Sequence, residues 1–376
     1  MSEAPFWFCL RTKIYFGCGI LEKNIGEIGR VGKRILIVTG RRSAKASGLL
    51  DRVEKALKDK GIEFYEFCEV EENPAFQTLE RGGDVARKNN CDAVLGIGGG
   101  SPMDAAKGIA ILATNDPPAK QYAGEDKFSN KPLPVIAVPT TAGTGSEITR
   151  FAVFVDREEN SKKTISSLSI MPEISICDPE LTLTLPPQLT ASTGMDAMAH
   201  AVEGYLSKRA SPISDVFALE AIKMVGSNLR ASFKNGWDAE ARANMLLASL
   251  IAGMALNHTG TILGHGMGYV LTLDFGLQHG EANGLMLPYL LEHIYKRKKD
   301  RIERIGQVLG GAPWKVLKKL LKDTALPASL KEIGVSDSDL DNLAKRMIEN
   351  CSRSLKNIDF LFDEDDVKKV IKLALG

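Results

Sequence analysis

Short apolar runs alternate with helical-period stretches through the first half of this chain, and then the runs all but stop. Arg34-Ile35-Leu36-Ile37-Val38-Thr39 is a continuous apolar strand of the kind buried on both faces. Leu49 to Leu57 has helical spacing, and Ile62–Tyr65 and Ala93–Ile97 read as further strands with a helix over Thr78–Lys88 between them. Pro134-Val135-Ile136-Ala137-Val138-Pro139 is one more strand. Strand, helix, strand repeated in this way predicts a parallel sheet flanked by helices. Beyond Pro186-Pro187 the 3.6-residue period dominates, over about 188–207, 211–230, 239–257, 283–295, 301–309, 314–322, 338–350 and 364–375. The chain therefore reads as a Rossmann-like α/β domain over residues 1–185 followed by an all-α domain over 186–376.

Composition excludes several classes. With 48 Lys+Arg against 47 Asp+Glu and a net charge of +1, nothing draws the 376-residue chain toward nucleic acid or anionic membrane. The one dense basic run, Lys296 to Arg301, is expected to be a solvated helix face. No stretch reaches the ~18 unbroken apolar residues of a membrane span, and Leu246–Leu256 reads as a buried helix. Glu3 sits where a signal peptide carries its basic residues. Cys9, Cys18, Cys68, Cys91, Cys177 and Cys351 form no Cys-x-x-Cys pair, which points to free thiols in a reducing compartment, the cytoplasm by expectation.

Three loops that follow strands are built of small residues. Gly96-Ile97-Gly98-Gly99-Gly100-Ser101-Pro102-Met103-Asp104 lets backbone approach a pyrophosphate, and the helix opening at Ser101 or Pro102 offers free N–H groups to an anion. Pro139-Thr140-Thr141-Ala142-Gly143-Thr144-Gly145 follows another strand, and open α/β sheets bind ligands at such strand ends. After Ile35–Thr39 come Gly40-Arg41-Arg42-Ser43, where an NAD-binding fold usually places a carboxylate. Guanidinium and hydroxyl groups there suit a 2′-phosphate, so the loop leans to NADP over NAD.

The second half carries the five histidines, His200, His258, His265, His279 and His293. Asp196 and His200 lie four apart in a helical stretch and so share one face. Gly264-His265-Gly266-Met267-Gly268 and Gln278-His279-Gly280 place two more imidazoles among glycines that are costly inside a helix, so something is expected to approach closely there. One carboxylate and three imidazoles suit one divalent metal, Fe²⁺ or Zn²⁺, with a position open to substrate. His258 and His293 are read as packing residues.

Together these segments resemble the iron-containing (group III) alcohol dehydrogenase family, related in fold to dehydroquinate synthase. The resemblance rests on Thr12–Gly17, Gly98–Asp104, Pro139–Glu147 with Phe151-Ala152-Val153, Asp178–Leu181, Pro186-Pro187, Thr193–His200 with Glu203, and the two later histidine segments. It implies that Gly99, Gly100, Ser101 and Asp104 hold a diphosphate, that Thr140, Thr141, Thr144 and Lys162 contact the cofactor, and that Asn73 lies near the adenosine. It implies Asp196, His200, His265 and His279 as metal ligands. Two departures stand out. Gly40 replaces the Asp common in NAD-using members, which favours NADP, and Tyr269 stands where the family often has a proton-relaying histidine.

The implied activity is reversible oxidation of a small primary alcohol or diol to its aldehyde, with hydride passing to NADP, in a homodimer or larger homo-oligomer. Phe151, Phe154 and Phe275 are candidate pocket walls. A dehydroquinate-synthase-type lyase with retained NAD is the alternative, as is a glycerol or polyol dehydrogenase of the same fold. The lyase would need a cluster of basic groups around a phosphorylated substrate, and none is visible between Asp196 and His279. A scaffold without catalysis would not need four intact ligand positions.

Overall fold

The computed structural model describes residues 5–376. Strands β1 (Lys13–Phe16), β2 (Arg34–Gly40), β3 (Glu63–Val70), β4 (Ala93–Gly98), β6 (Val135–Pro139) and β9 (Ile174–Cys177) form a six-stranded sheet in the order β1-β9-β6-β4-β2-β3, and every pairing is parallel. Helices α1 (Ile20–Val31), α2 (Ser43–Ala46), α3 (Leu49–Asp59), α4 (Phe76–Lys88) and α5 (Gly100–Leu112) make the crossovers. The run Ile35-Leu36-Ile37-Val38 shows why β2 is apolar throughout. Ile35 and Ile37 enter a core with Leu57 and Leu95, while Leu36 and Val38 enter the opposite core with Phe67 and Val94. Alternate side chains thus fill two cores, and neither face of the strand meets water.

A second sheet was not legible as such. β5 (Gly124–Glu125), β7 (Phe151–Asp156) and β8 (Ser161–Ser166) form it, with β7 and β8 an antiparallel hairpin. Phe154 of β7 is fully buried against Phe76, so it packs the core and walls no pocket.

The other elements are helices: α6 (Pro187–Leu206), α7 (Pro212–Lys234), α8 (Ala239–Thr259), α9 (Leu263–Phe275), α10 (His279–Ile294), α11 (Lys299–Leu309), α12 (Pro313–Asp323), α13 (Leu340–Asn350) and α14 (Glu364–Leu375). α8 is long and apolar enough to cross a membrane, but 67% of its most apolar stretch is buried inside the protein, as befits a core helix. The chain divides into two compact units. One is Cys9–Thr141 with Ser146–Thr184, and the other is Leu185–Gly376 with Ala142–Gly145 and the segment ending at Phe8.

The close approach expected at the glycines around His265 is present, and they lie inside α9. An ideal Cβ on Gly264 would stand 2.6 Å from Glu203 Oε1, one on Gly266 would stand 2.6 Å from Cys351 Sγ, and one on Gly268 would overlap Asn283. Close packing on three sides offsets the ~1 kcal/mol that each glycine costs a helix. One expectation needs correction, since the basic run is not a plain solvated face. Arg297 binds Asp366, Lys298 binds Asp359, and Arg301 lies 3.8 Å over the Tyr205 ring while pairing with Asp215.

Candidate metal centre and cofactor loops

In the helical unit, α6 carries Asp196, His200 and Glu203, spaced i, i+4 and i+7 and therefore on one face. α9 carries His265 and Tyr269, and α10 opens at His279 with Asn283 one turn later. α10 reaches α6 because Gly280 packs directly on the Ser192 carbonyl, leaving no room for a side chain. These crossings bring one ligand atom each from Asp196, His265 and His279 to within 4.8 Å of one another. Asp196 Oδ1 stands 3.6 Å from His265 Nε2 and 3.8 Å from His279 Nε2. Two ligands at ~2.1 Å about a tetrahedral ion stand roughly 3.4 Å apart, so the spacing suits one cation. His200 lies just outside this trio. Its ring stacks on His265 at 4.6 Å, and its Nδ1 is 3.2 Å from the carbonyl of Gly143.

Electrostatics agree with a cation site. Burial opposes the charge on Asp196, but His200, His279 and His265 outweigh it and hold the carboxyl far below its usual range. Burial likewise opposes an imidazolium at His265, yet Glu203 and Asp196 raise it to about 9. His200 goes the other way, because burial lowers it more than Asp196 raises it. His265 Nε2 is buried with no hydrogen-bond partner, an expensive state for a polar atom unless a ligand completes it. The donor set fits a divalent ion of the Fe²⁺ or Zn²⁺ type.

Three residues around the trio were not singled out by sequence for these roles. Glu203 Oε1 lies 2.6 Å from His265 Nδ1. Asn283 Nδ2 donates to Asp196 Oδ1 at 2.9 Å and lies 3.1 Å from His279 Nε2. Ser192 Oγ accepts from Glu281 N at the start of α10. The usable signals were the i+7 spacing of Glu203 from Asp196 and the i+4 spacing of Asn283 from His279. Tyr269 is half-buried with its ring stacked on His279 at 5.2 Å. Phe275 is partly exposed near the end of α9. His258 stacks on Phe8 at 3.9 Å, and His293 Nε2 lies 2.7 Å from Asp366, so both are engaged away from the trio.

In the α/β unit, β4 and β6 are in register at Gly98 and Pro139, and Thr140 N donates to Gly98 O at 2.9 Å. The loops after the two strands therefore run side by side. Gly98 has φ +144, a conformation that favours glycine, and its turn starts α5 with Gly99 as an N-cap that has no side-chain partner. Thr141 Oγ1 is buried without a hydrogen-bond partner beside Gly99. Free helix N–H groups and an unpaired hydroxyl fit a diphosphate. Asn73, at φ +51, donates its backbone N–H to Ser101 Oγ at 3.2 Å, which joins the predicted adenosine segment to the diphosphate loop. Gly40 ends β2, Arg41 follows it and Ser43 opens α2. Arg41 is exposed and, with Arg81, Arg157 and Glu71, lines a cavity of about 280 Å³.

Not every predicted cofactor residue joins this group. Asp104 accepts from Ser146 Oγ at 2.6 Å and from Val153 N at 2.9 Å, with Lys107 Nζ 3.9 Å away, so its carboxylate ties α5 to β7. Lys162 is half-buried on β8 opposite Val155. Thr144 belongs with the helical unit, whereas Thr140 and Thr141 belong with the sheet.

An all-parallel sheet with small-residue loops at its strand ends and a candidate carboxylate–imidazole cation site in a helical unit fit an oxidoreductase that uses a dinucleotide and a cation. Comparison with known proteins narrows this. Residues 11–179 match the iron-containing alcohol dehydrogenase family, and residues 190–375 match the C-terminal part of the same family. The chain is 36% identical to alcohol dehydrogenase 4 of Schizosaccharomyces pombe over 96% of its own length and 87% of that protein. It is 34% identical to an NAD-dependent methanol dehydrogenase of Bacillus methanolicus, covering 96% and 97% of the two chains. A crystal structure of a 1,3-propanediol oxidoreductase superposes with a TM-score of 0.93 at 32% identity, covering 99% and 100%. The protein belongs to the iron-containing alcohol dehydrogenase family, and it is an oxidoreductase of the alcohol–aldehyde class.

Proposed function

We propose that this protein interconverts a small primary alcohol or diol and its aldehyde, using NADP(H) in preference to NAD(H) and one divalent ion, Fe²⁺ or Zn²⁺. The observation that carries the reading is the trio of buried Asp196, buried His265 and half-buried His279 within 4.8 Å, with His265 Nε2 unpartnered. His200 is the fourth residue assigned to the ion. When bound, the ion supplies Lewis acidity toward an alcohol or carbonyl oxygen, and the nicotinamide supplies two-electron hydride chemistry.

The remaining work falls to side chains and backbone of this chain. Gly99, Gly100 and Ser101 present the N-terminus of α5 to a diphosphate, and Thr140 and Thr141 line the neighbouring strand end. Gly40 keeps a carboxylate away from a 2′-phosphate, while Arg41, with Arg81 and Arg157 on the same cavity, supplies positive charge. Tyr269 is assigned to proton transfer, and its ring holds the face of His279. A phenol is a poor base at neutral pH, so the hydroxyl serves as a donor to the alkoxide side of the reaction.

The test uses protein stripped by a chelator and repleted with Fe²⁺ or Zn²⁺. Butyraldehyde and lactaldehyde are offered with NADPH or NADH. Metal-dependent NADPH oxidation is expected, with NADH slower. Activity with NADH alone would discard the 2′-phosphate argument, and metal-independent turnover would discard the metal assignment.

A further inference from the structure

Glu203 does something that neither a ligand nor a packing residue does. It is fully buried on α6, one turn beyond His200. Its Oε2 accepts from Ile262 N at 2.8 Å and from His265 N at 3.4 Å, at the first turn of α9. Its Oε1 accepts from the ring of His265 at Nδ1, 2.6 Å away. The backbone bonds fix where the carboxylate sits, at the favourable end of the α9 dipole. A carboxylate oxygen can only accept, so the ring nitrogen facing it must carry the hydrogen. In the neutral ring that a cation requires, Nε2 is then the nitrogen with a lone pair, and it is the nitrogen that faces Asp196 and lacks a partner. Gly264 is what admits the carboxylate, since a Cβ there would stand 2.6 Å from Oε1.

We propose that Glu203 is a positioning residue that locks His265 with Nδ1–H toward α6 and Nε2 toward Asp196 and His279, thereby setting the affinity of the site for its divalent ion. This rests on the metal reading above. Partners of this kind, behind a ligating imidazole, typically change metal affinity 10–100-fold. Glutamine is the informative replacement because it is isosteric but has a single carbonyl oxygen. It can accept from the α9 backbone or from His265 Nδ1, but not from both. If its amide nitrogen faces the ring, Nδ1 must accept and the hydrogen moves to Nε2, where it blocks ligation.

Zn²⁺ alone is the probe, with its dissociation constant measured by competition against a chromophoric chelator. Glu203→Gln is expected to weaken Zn²⁺ binding about 10–100-fold, and Gly264→Ala, which crowds Oε1, to weaken it in the same sense. In a His265→Ala background, Glu203→Gln should add no further loss, because the effect passes through that ring. An additive loss would mark a merely structural role and overturn the proposal, as would Zn²⁺ affinity within threefold of wild type in Glu203→Gln. Should the variants not fold, ¹⁵N-histidine spectra of zinc-loaded wild type decide. A hydrogen on His265 Nδ1 with zinc on Nε2 supports the assignment, and zinc on Nδ1 overturns it. Wild type that binds no Zn²⁺ or Fe²⁺ at all is a separate result, and it would remove the metal reading itself.

Discussion

Gly268 of α9 gives Asn283 of α10 the space it occupies: an ideal Cβ on Gly268 would lie 3.2 Å from the backbone N of Asn283 and would overlap its Oδ1. Asn283 in turn donates to Asp196 and lies against His279 Nε2. One missing methyl group thus sets how closely two helices that carry candidate ligands can pack.

Gly268→Ala should therefore act on stability and on the site together. Overpacking of this kind costs about 1–3 kcal/mol, and displacement of Asn283 frees Asp196 Oδ1. The expected result is a lower melting temperature with weakened Zn²⁺ binding, read by calorimetry and chelator competition. A variant that loses stability but keeps full zinc affinity would separate the helix packing from the site.

Cofactor choice is testable at Gly40. A Cβ there has ordinary clearance, 3.7 Å from Val70 O and 3.8 Å from Pro102 Cγ, so Gly40→Asp introduces charge without steric damage. Like-charge repulsion of about 1–2 kcal/mol against a 2′-phosphate lowers kcat/KM for NADPH relative to NADH by roughly tenfold or more. An unchanged NADPH/NADH ratio would place the 2′ position elsewhere.

Tyr269→Phe removes only a hydroxyl and retains the ring that stacks on His279. A proton-transfer role predicts a fall in kcat on the order of 10²-fold with little change in KM. Unaltered kcat across pH would pass the proton to water and the ribose hydroxyls of the cofactor.

Asp366 predicts a pH dependence of stability. Burial opposes its charge, but hydrogen bonds from Arg297 and His293 overcome this and bring it down from 3.8 to about 2. A carboxyl depressed in the folded state stabilises fully above its unfolded pKa and loses that contribution as pH falls through the folded value. Asp366→Asn should cost on the order of 2 kcal/mol at pH 7, with the gap narrowing to about half by pH 3. Urea unfolding at several pH values measures it, and a constant gap would show that the pairing is not electrostatic.

Lys107 is wholly buried, and its Nζ donates to Ser146 Oγ and Phe151 O, both at 2.8 Å. Burial lowers it to about 8 despite Asp104 and Glu147 nearby. Lys107→Met would leave the partly buried Asp104 without its nearby cation, at a cost of about 3–5 kcal/mol in denaturant unfolding. A loss below 1 kcal/mol would mean that the carboxyl protonates at no real cost.

Local order was legible wherever one segment held the whole signal. The period-2 and period-3.6 patterns located β2, β4, β6 and most helices, and the Asp196–His200 spacing put two groups on one face. The β7–β8 hairpin escaped notice because its residues alternate around a core built by other segments. The fate of Asp104 was also hidden, since Ser146 and Val153 lie far along the chain.

The chain by itself determined an α/β half followed by helices, the small-residue loops at the ends of β4 and β6, and the residue types of the cation site. Only tertiary structure decided that Asp196 meets His265 and His279, which come from three helices held together by Gly264, Gly268 and Gly280. It also decided that Glu203 stands behind His265 and that the Asp104 carboxylate accepts from Ser146 and Val153. The reason is physical. Periodicity and propensity act within one element, whereas a ligand set depends on how closely separate helices approach, and that distance is set by the side chains that are missing where they cross.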